Sequence, residues 1–160
     1  MQADEPGAAL RLVEGEIPEP GAGHVRVTVE AAGICHSDAM FLAGHMPGVT
    51  FPLVTGHEID GRIDAIGDGV QEFRLGQCVA VGWCGGNCGH CMACREGDAI
   101  NCAHLQIPGL SYPGGFAEIV VARLGAGPYP RGVHRGGGGP DGLRWRDGVQ
   151  RAAAQRRPSR

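Results

Sequence analysis

Gly56-His57-Glu58-Ile59-Asp60-Gly61 begins a stretch that runs on to Gly67 and Val70 and reads G-H-E-x2-G-x5-G-x2-V. Isoleucine recurs through it at positions 59, 63 and 66, between the glycines. Apolar residues punctuated by glycine in this way predict a strand followed by turns. The stretch therefore places a histidine and a carboxylate side by side at the beginning of a predicted strand.

Short apolar segments on both sides of this stretch predict further strands. Valines at 25, 27 and 29 and Ala31 alternate with polar residues, and this period of two indicates a half-buried strand. Residues 78–81 and 116–122 are two further strand candidates, and residues 35–42 predict a short helix with Ser37 or Asp38 near its cap. Many short strands separated by Gly and Pro predict a mainly-β, barrel-like domain.

Four cysteines after the third strand candidate have the spacing C-x2-C-x2-C-x7-C; they are Cys88, Cys91, Cys94 and Cys102. Four thiolates in a short Gly-rich loop suit a tetrahedral zinc ion. An iron–sulfur cluster is the alternative, but a bacterial ferredoxin run closes with three intervening residues and a following proline. Here the last gap is seven residues and Ala103 follows. We expect a structural zinc site, with Cys78 and Cys84 outside it.

A second group of metal-binding residue types is formed by Cys35-His36-Ser37-Asp38 together with the Gly56-His57-Glu58 stretch. A cysteine and a histidine 22 residues apart carry little information alone. In this order, followed by the four-cysteine loop, they resemble the zinc-containing medium-chain alcohol dehydrogenase family. The resemblance covers about residues 7–124 and implies a GroES-like β-barrel domain. Quinone-reductase relatives lack both cysteine motifs and fit less well.

The resemblance implies a catalytic zinc bound by Cys35 and His57, with Glu58 beside the metal as an outer or transient ligand. Zinc with an open coordination position acts as a Lewis acid on an alcohol. The alcohol would then be oxidised to an aldehyde or ketone, and its hydride accepted by NAD or NADP. A small alcohol or aldehyde is therefore the expected substrate.

Three neighbours of Cys35 also acquire expected roles from the resemblance. Ser37 would hydrogen-bond the alcohol and pass its proton towards solvent, and Asp38 would orient His57 through the far ring nitrogen. His36 would lie near the pyrophosphate of the cofactor. His45 is a weaker candidate for a proton relay.

Composition separates the chain into two regions. Residues 1–124 contain six arginines and fifteen acidic residues, a net charge of −9, and the whole chain contains no lysine. An acidic body disfavours nucleic-acid binding, although a zinc module with a basic tail that contacts nucleic acid or a protein partner is the alternative function. No apolar run long enough to span a membrane and no secretory signal is present, so we expect a cytoplasmic protein without membrane contact.

Residues 125–160 differ from the rest, with nine glycines and eight arginines. Such a composition predicts a disordered tail. The G-x-G-x-x-G motif of a Rossmann cofactor domain and the family's third cysteine ligand do not occur here. Reading the codons one base out of frame permits the family's residues at 128–154, so we expect a frameshift near codons 125–128. On this expectation the chain is an N-terminal fragment, inactive alone, and it would oligomerise only with the missing domain.

Overall fold

The structure is a computed structural model that describes residues 1–123 and the backbone of residues 133–136. Five strands form one antiparallel sheet with the order β4-β1-β2-β3-β5. They are β1 (Val25–Ala32), β2 (Ile59–Ile66), β3 (Cys78–Val81), β4 (Ile119–Ala122) and β5 (Val133–Gly136). The prediction of a mainly-β fold is confirmed.

The hydrophobic core lies against one face of the sheet and is formed by every second side chain of neighbouring strands. Val27 of β1 stands opposite Ile63 of β2 on one side and Val120 of β4 on the other. Because side chains alternate along a strand, this register brings every second residue to the same face. The buried cluster consists of Val25, Val27, Ile59, Ile63, Val79, Val81, Val120 and Ala122.

The helix predicted at residues 35–42 is α1 (His36–Leu42), which follows β1. Cys35 is its N-cap residue, and Asp38 stands in its first turn, where Oδ2 accepts a hydrogen bond of 2.8 Å from the Cys35 N–H. An acidic side chain in the first turn accepts a hydrogen bond from a free backbone N–H group. Its negative charge also interacts favourably with the positive end of the helix dipole. The cap therefore fixes the backbone of Cys35.

The cysteine-rich segment is more regular than the loop that its composition predicts. It contains α2 (Met92–Arg95) and a 3-10 turn at Ala99–Asn101. An isolated bridge between Gly86 and Gln106 closes its base. These short turns bring cysteines that are separated in sequence into one region.

Two expectations for the C-terminal part have different outcomes. The strand predicted from Phe116 begins only at Ile119, because the backbone of residues 114–116 hydrogen-bonds to residues 54–56 instead of to the sheet. Within the predicted disordered tail, Val133–Gly136 forms β5 beside β3, contrary to the expectation for those four residues. The rest of the tail, including the predicted frameshift position near codons 125–128, lies outside the described residues. Among the described residues, no helix is long and apolar enough to cross a membrane.

Candidate metal centres

The four cysteines of the C-x2-C-x2-C-x7-C motif converge. Their Sγ atoms all lie within 4.8 Å of one another, and none of them forms a disulfide. Cys102 Sγ is 3.6 Å from Cys88 Sγ and 3.9 Å from Cys91 Sγ. A tetrahedral zinc ion with Zn–S bonds of about 2.3 Å requires sulfur atoms about 3.8 Å apart. The sulfur positions therefore fit such an ion.

Backbone N–H groups of the same segment point at these sulfur atoms. Cys88 N donates to Cys102 Sγ at 3.4 Å, Cys91 N to Cys88 Sγ at 3.4 Å, and His104 N to Cys102 Sγ at 3.3 Å. Such bonds stabilise the thiolate form that binds a metal. Backbone N–H groups, first that of Cys94, lower the pKa of Cys91 to about 6, whereas burial raises the pKa of Cys94 to about 12.

Cys35, His57 and Glu58 form a second convergent group, whose ligand atoms also lie within 4.8 Å of one another. Cys35 stands at the N-terminus of α1, and His57 and Glu58 lie immediately before β2. A thiolate, an imidazole and a carboxylate are all ligands that zinc accepts. The donor set of this group therefore fits a zinc ion.

Asp38 joins the two chain segments that carry this group. Its side chain is 2% exposed, and its Oδ1 accepts hydrogen bonds from Thr55 Oγ1 at 2.7 Å and Gly56 N at 3.1 Å. Its Oδ2 accepts the bond from Cys35 N. Burial raises the pKa of Asp38, but the adjacent His57 imidazole and the hydrogen bond from the Cys35 N–H outweigh it, so the pKa is lowered. Asp38 is thus a buried carboxylate in its charged form.

The ring of His57 is buried beside this carboxylate. Nδ1 lies 3.3 Å from Asp38 Oδ1, within ion-pair distance but outside the geometry of a directed hydrogen bond, and it has no hydrogen-bond partner. Burial lowers the pKa of His57, but Asp38 outweighs this effect and the pKa is raised. With Nδ1 facing Asp38, Nε2 is the ring nitrogen left to bind a metal. The role of Asp38 in orienting His57 for metal binding stays a prediction.

Glu58 reaches the group through a space that only glycine leaves at position 33. A Cβ at Gly33 would lie 2.2 Å from Glu58 Oε2 and 2.9 Å from Glu58 Cβ. The Gly33 N–H also donates a 2.7 Å hydrogen bond to Glu58 O. The end of β1 and the beginning of β2 therefore approach closely at this point, and the glutamate side chain lies against Gly33.

Residues 54–56, which lead into the group, are hydrogen-bonded by a distant backbone segment. The N–H groups of Gly114, Gly115 and Phe116 donate to Val54 O, Gly56 O and Thr55 O at 2.8, 2.7 and 2.9 Å. We call these three bonds the 114–116 backbone clamp. In the sequence, Pro113-Gly114-Gly115 is a turn signal, and it does not predict this longer-range contact.

Aromatic side chains pack against His57. The Trp83 ring meets the His57 ring edge-on, with centroids 5.2 Å apart, and Phe41 lies 6.0 Å from His57 and 5.9 Å from Trp83. These apolar rings limit access of water to one side of the imidazole. The sequence analysis named neither residue, because nothing in their local pattern links them to His57.

The remaining predicted site residues lie around Cys35. Ser37 is half-buried, with its Oγ 3.8 Å from Cys35 Sγ. The backbone N–H and the hydroxyl of Ser37 lower the pKa of Cys35. His36 and His45 are exposed, and His45 is not one of the convergent ligands among the described residues.

Known proteins are similar to this chain over 70–75% of its length. The family model for the alcohol dehydrogenase GroES-like domain matches residues 21–126. Starvation-sensing protein RspB of Escherichia coli K12 is 47% identical over 112 residues, which are 70% of this chain and 33% of RspB. Alcohol dehydrogenase patD of Aspergillus clavatus is 42% identical over 116 residues, 72% of this chain and 30% of patD. The chain thus spans about a third of the length of these curated relatives.

Solved structures give the same result. A cobalt- and zinc-bound thermostable alcohol dehydrogenase from Pyrobaculum aerophilum aligns with a TM-score of 0.69 and 34% identity, covering 75% of this chain and 37% of that one. The RspB alcohol dehydrogenase of E. coli CFT073, in complex with NADH, aligns with a TM-score of 0.66 and 43% identity, covering 75% and 34%. The matched part is again about one third of each structure.

Proposed function

Because the chain belongs to the alcohol dehydrogenase GroES-like domain family, we propose that it supplies the metal-binding part of a zinc-dependent oxidoreductase. The reaction interconverts a small alcohol with an aldehyde or ketone and uses NAD or NADP. The observation that carries this proposal is the convergence of Cys35, His57 and Glu58 within 4.8 Å. The relatives named for alcohol dehydrogenase activity support the reaction class.

The residues of the second group have distinct roles in this proposal. Cys35 and His57 bind zinc, with Glu58 beside it, and zinc supplies a Lewis acid at this position. Asp38 keeps the imidazole oriented with Nε2 towards the metal. Ser37 hydrogen-bonds the alcohol and passes its proton towards solvent.

Residues around the group complete the proposed site. The aromatic rings of Phe41 and Trp83 keep water from one side of His57, which strengthens electrostatic interactions there. His36 is exposed at the start of α1, and in this proposal it would lie near the pyrophosphate of the cofactor.

The four-cysteine lobe, formed by Cys88, Cys91, Cys94 and Cys102, has a structural role in this proposal. All four coordination positions of a tetrahedral ion are taken by protein sulfur atoms, so no position is open to substrate. We therefore assign to the chain two sites of different character: a closed site that stabilises the fold and an open site that carries the chemistry. We expect the open site to bind zinc more weakly. The proposed setting is the cytoplasm.

A metal titration tests the proposal. The full chain is loaded with zinc, dialysed, and then titrated with Co²⁺ while thiolate-to-cobalt absorption is recorded. We expect one zinc ion to survive dialysis in the lobe, and further cobalt to bind with an absorption band that Cys35→Ser abolishes. Cys78→Ser, which changes a cysteine of β3 outside both groups, is the matched control and should leave the band unchanged.

Two results would overturn parts of the proposal. Cobalt absorption at the second site that does not depend on Cys35 would contradict the open site. Two zinc ions that both survive dialysis would contradict the expectation that this site binds more weakly than the lobe.

A further inference from the structure

Thr55 is a polar residue next to the second group, and none of the roles that the family implies explains it. Its side chain is fully buried, at 0% exposure, and Oγ1 donates a 2.7 Å hydrogen bond to Asp38 Oδ1. The same carboxylate oxygen faces His57 Nδ1 at 3.3 Å. The hydroxyl of Thr55 is therefore separated from the imidazole of a proposed zinc ligand by a single atom.

We propose that Thr55 is a positioning residue for metal binding: its hydroxyl fixes the Asp38 carboxylate in the orientation from which Oδ1 meets His57. The inference rests on the proposed function, since it assigns metal binding to the group that contains His57. Thr55 itself contacts neither metal nor substrate in this proposal, and it acts through Asp38.

The hydrogen bonds on Asp38 show why the hydroxyl matters. The terminal torsion of an aspartate is broad, so a single hydrogen bond to Oδ2 from Cys35 N restricts the rotation of the carboxylate only loosely. Oδ1 is held by two hydrogen bonds, one donated by Thr55 Oγ1 and one by Gly56 N. Of these, only the Thr55 bond comes from a side chain, and it is the shorter.

Thr55 is itself held in place. Its carbonyl accepts the 2.9 Å bond from Phe116 N in the 114–116 backbone clamp. The backbone of Gly109 packs so closely that a Cβ there would lie 2.9 Å from Thr55 Cα and 3.1 Å from Thr55 Oγ1. The backbone that carries the hydroxyl is therefore fixed. A hydroxyl that orients a neighbouring carboxylate must be held in this way.

The test uses substitutions that separate the effect of the Thr55 hydroxyl from the effect of the volume of its side chain. Thr55→Val keeps the shape and removes the hydroxyl, and Thr55→Ser keeps the hydroxyl. Thr28→Val makes the same chemical change at an exposed position of β1 and is the matched control. Each full-length variant, with its lobe loaded with zinc, is titrated with Co²⁺, and both the affinity and the Cys35-dependent absorption band are recorded.

We expect Thr55→Val to weaken cobalt binding about tenfold, the lower end of the range for the loss of a partner that orients a metal ligand. The absorption band should shift as the ligand geometry relaxes. Thr55→Ser should restore both the affinity and the band, and Thr28→Val should change neither. Retention of lobe zinc reports that each variant is folded.

The outcomes are distinguishable. Absence of Cys35-dependent binding in the unsubstituted chain would overturn the proposed function itself. The inference would be overturned if the unsubstituted chain binds cobalt normally and Thr55→Val has the same affinity and absorption band. A lower Tm for that variant would then show a role in stability alone. If Thr55→Val does not fold, the pair Thr55→Ala and Thr55→Ser, which differ by the hydroxyl, provides the same comparison, and equal affinities would overturn the inference.

Discussion

Replacement of Gly114 by alanine probes the 114–116 backbone clamp directly. A Cβ at this position would lie 2.4 Å from Gly56 O and 2.6 Å from Thr55 O, and real Cβ atoms essentially never come within 3.0 Å of such atoms. Both obstacles are backbone, so no side chain can move aside. The segment must withdraw by at least about 0.6 Å, which would stretch the 2.8 Å bond from Gly114 N to Val54 O beyond the usual range.

The expected cost follows from the bonds affected. Three backbone hydrogen bonds join residues 114–116 to residues 54–56, and each contributes about 1 kcal/mol. We therefore expect Gly114→Ala to lower the free energy of unfolding by about 3 kcal/mol. Cobalt affinity at the second group should fall as well, because the clamp fixes the backbone beside His57.

Urea unfolding of the zinc-loaded chain, followed by circular dichroism, measures the first effect. Gly15→Ala is the matched control, because a Cβ at Gly15 meets nothing within 4 Å and the position does not have a positive φ. A loss for Gly114→Ala within about 0.5 kcal/mol of that for Gly15→Ala, the range of an ordinary surface substitution, would refute the reasoning.

Three further predictions concern the lobe and the core. Cys94→Ser should release the lobe zinc and lower the Tm, whereas Cys84→Ser, outside the cluster, should retain the metal; equal zinc contents by mass spectrometry would contradict this. Zinc affinity of the lobe, measured against a chromophoric chelator, should rise by at least about tenfold from pH 7 to 8, because Cys94, with its pKa of about 12, must release a proton on binding while Cys91, with its pKa of about 6, is already ionised. The zinc affinity of the lobe should depend more steeply on pH below pH 6. An affinity that does not change with pH would contradict this prediction. Ile63→Ala should cost about 2–5 kcal/mol in urea unfolding, while Leu75→Ala, at a side chain 64% exposed, should cost little.

The convergence of the four lobe cysteines could be predicted from the sequence, because cysteines close together along the chain leave a direct record in their spacing. The three tight intervals between Cys88 and Cys94 place the sulfur atoms within reach of one another almost regardless of the surrounding fold. Period-two alternation likewise predicts β1, because one face of that strand is buried. Local patterns therefore suffice where the contacts themselves are local.

The contacts around the second group are not local, and the sequence predicts them incompletely. Thr55 stands directly before the G-H-E motif, and that adjacency is the only trace of its bond to Asp38, 17 positions earlier. The 114–116 backbone clamp spans almost 60 residues and uses main-chain atoms, which have the same donors and acceptors at every position. No residue pattern can report such a contact, and only the turn composition at Pro113 marks its place.

In the proposed two-site arrangement, the hydrogen bonds of Asp38 have a consequence for how the sites would exchange their ions. They assemble Cys35, His57 and Glu58 from within the protein, so an ion can leave and return there without unfolding of its surroundings. In the lobe, four sulfur atoms would enclose the ion, and backbone hydrogen bonds of short turns hold the chain around it. Exchange at the lobe therefore requires local opening of the chain. The second group should equilibrate with free metal quickly, while the lobe keeps the ion with which it first folded.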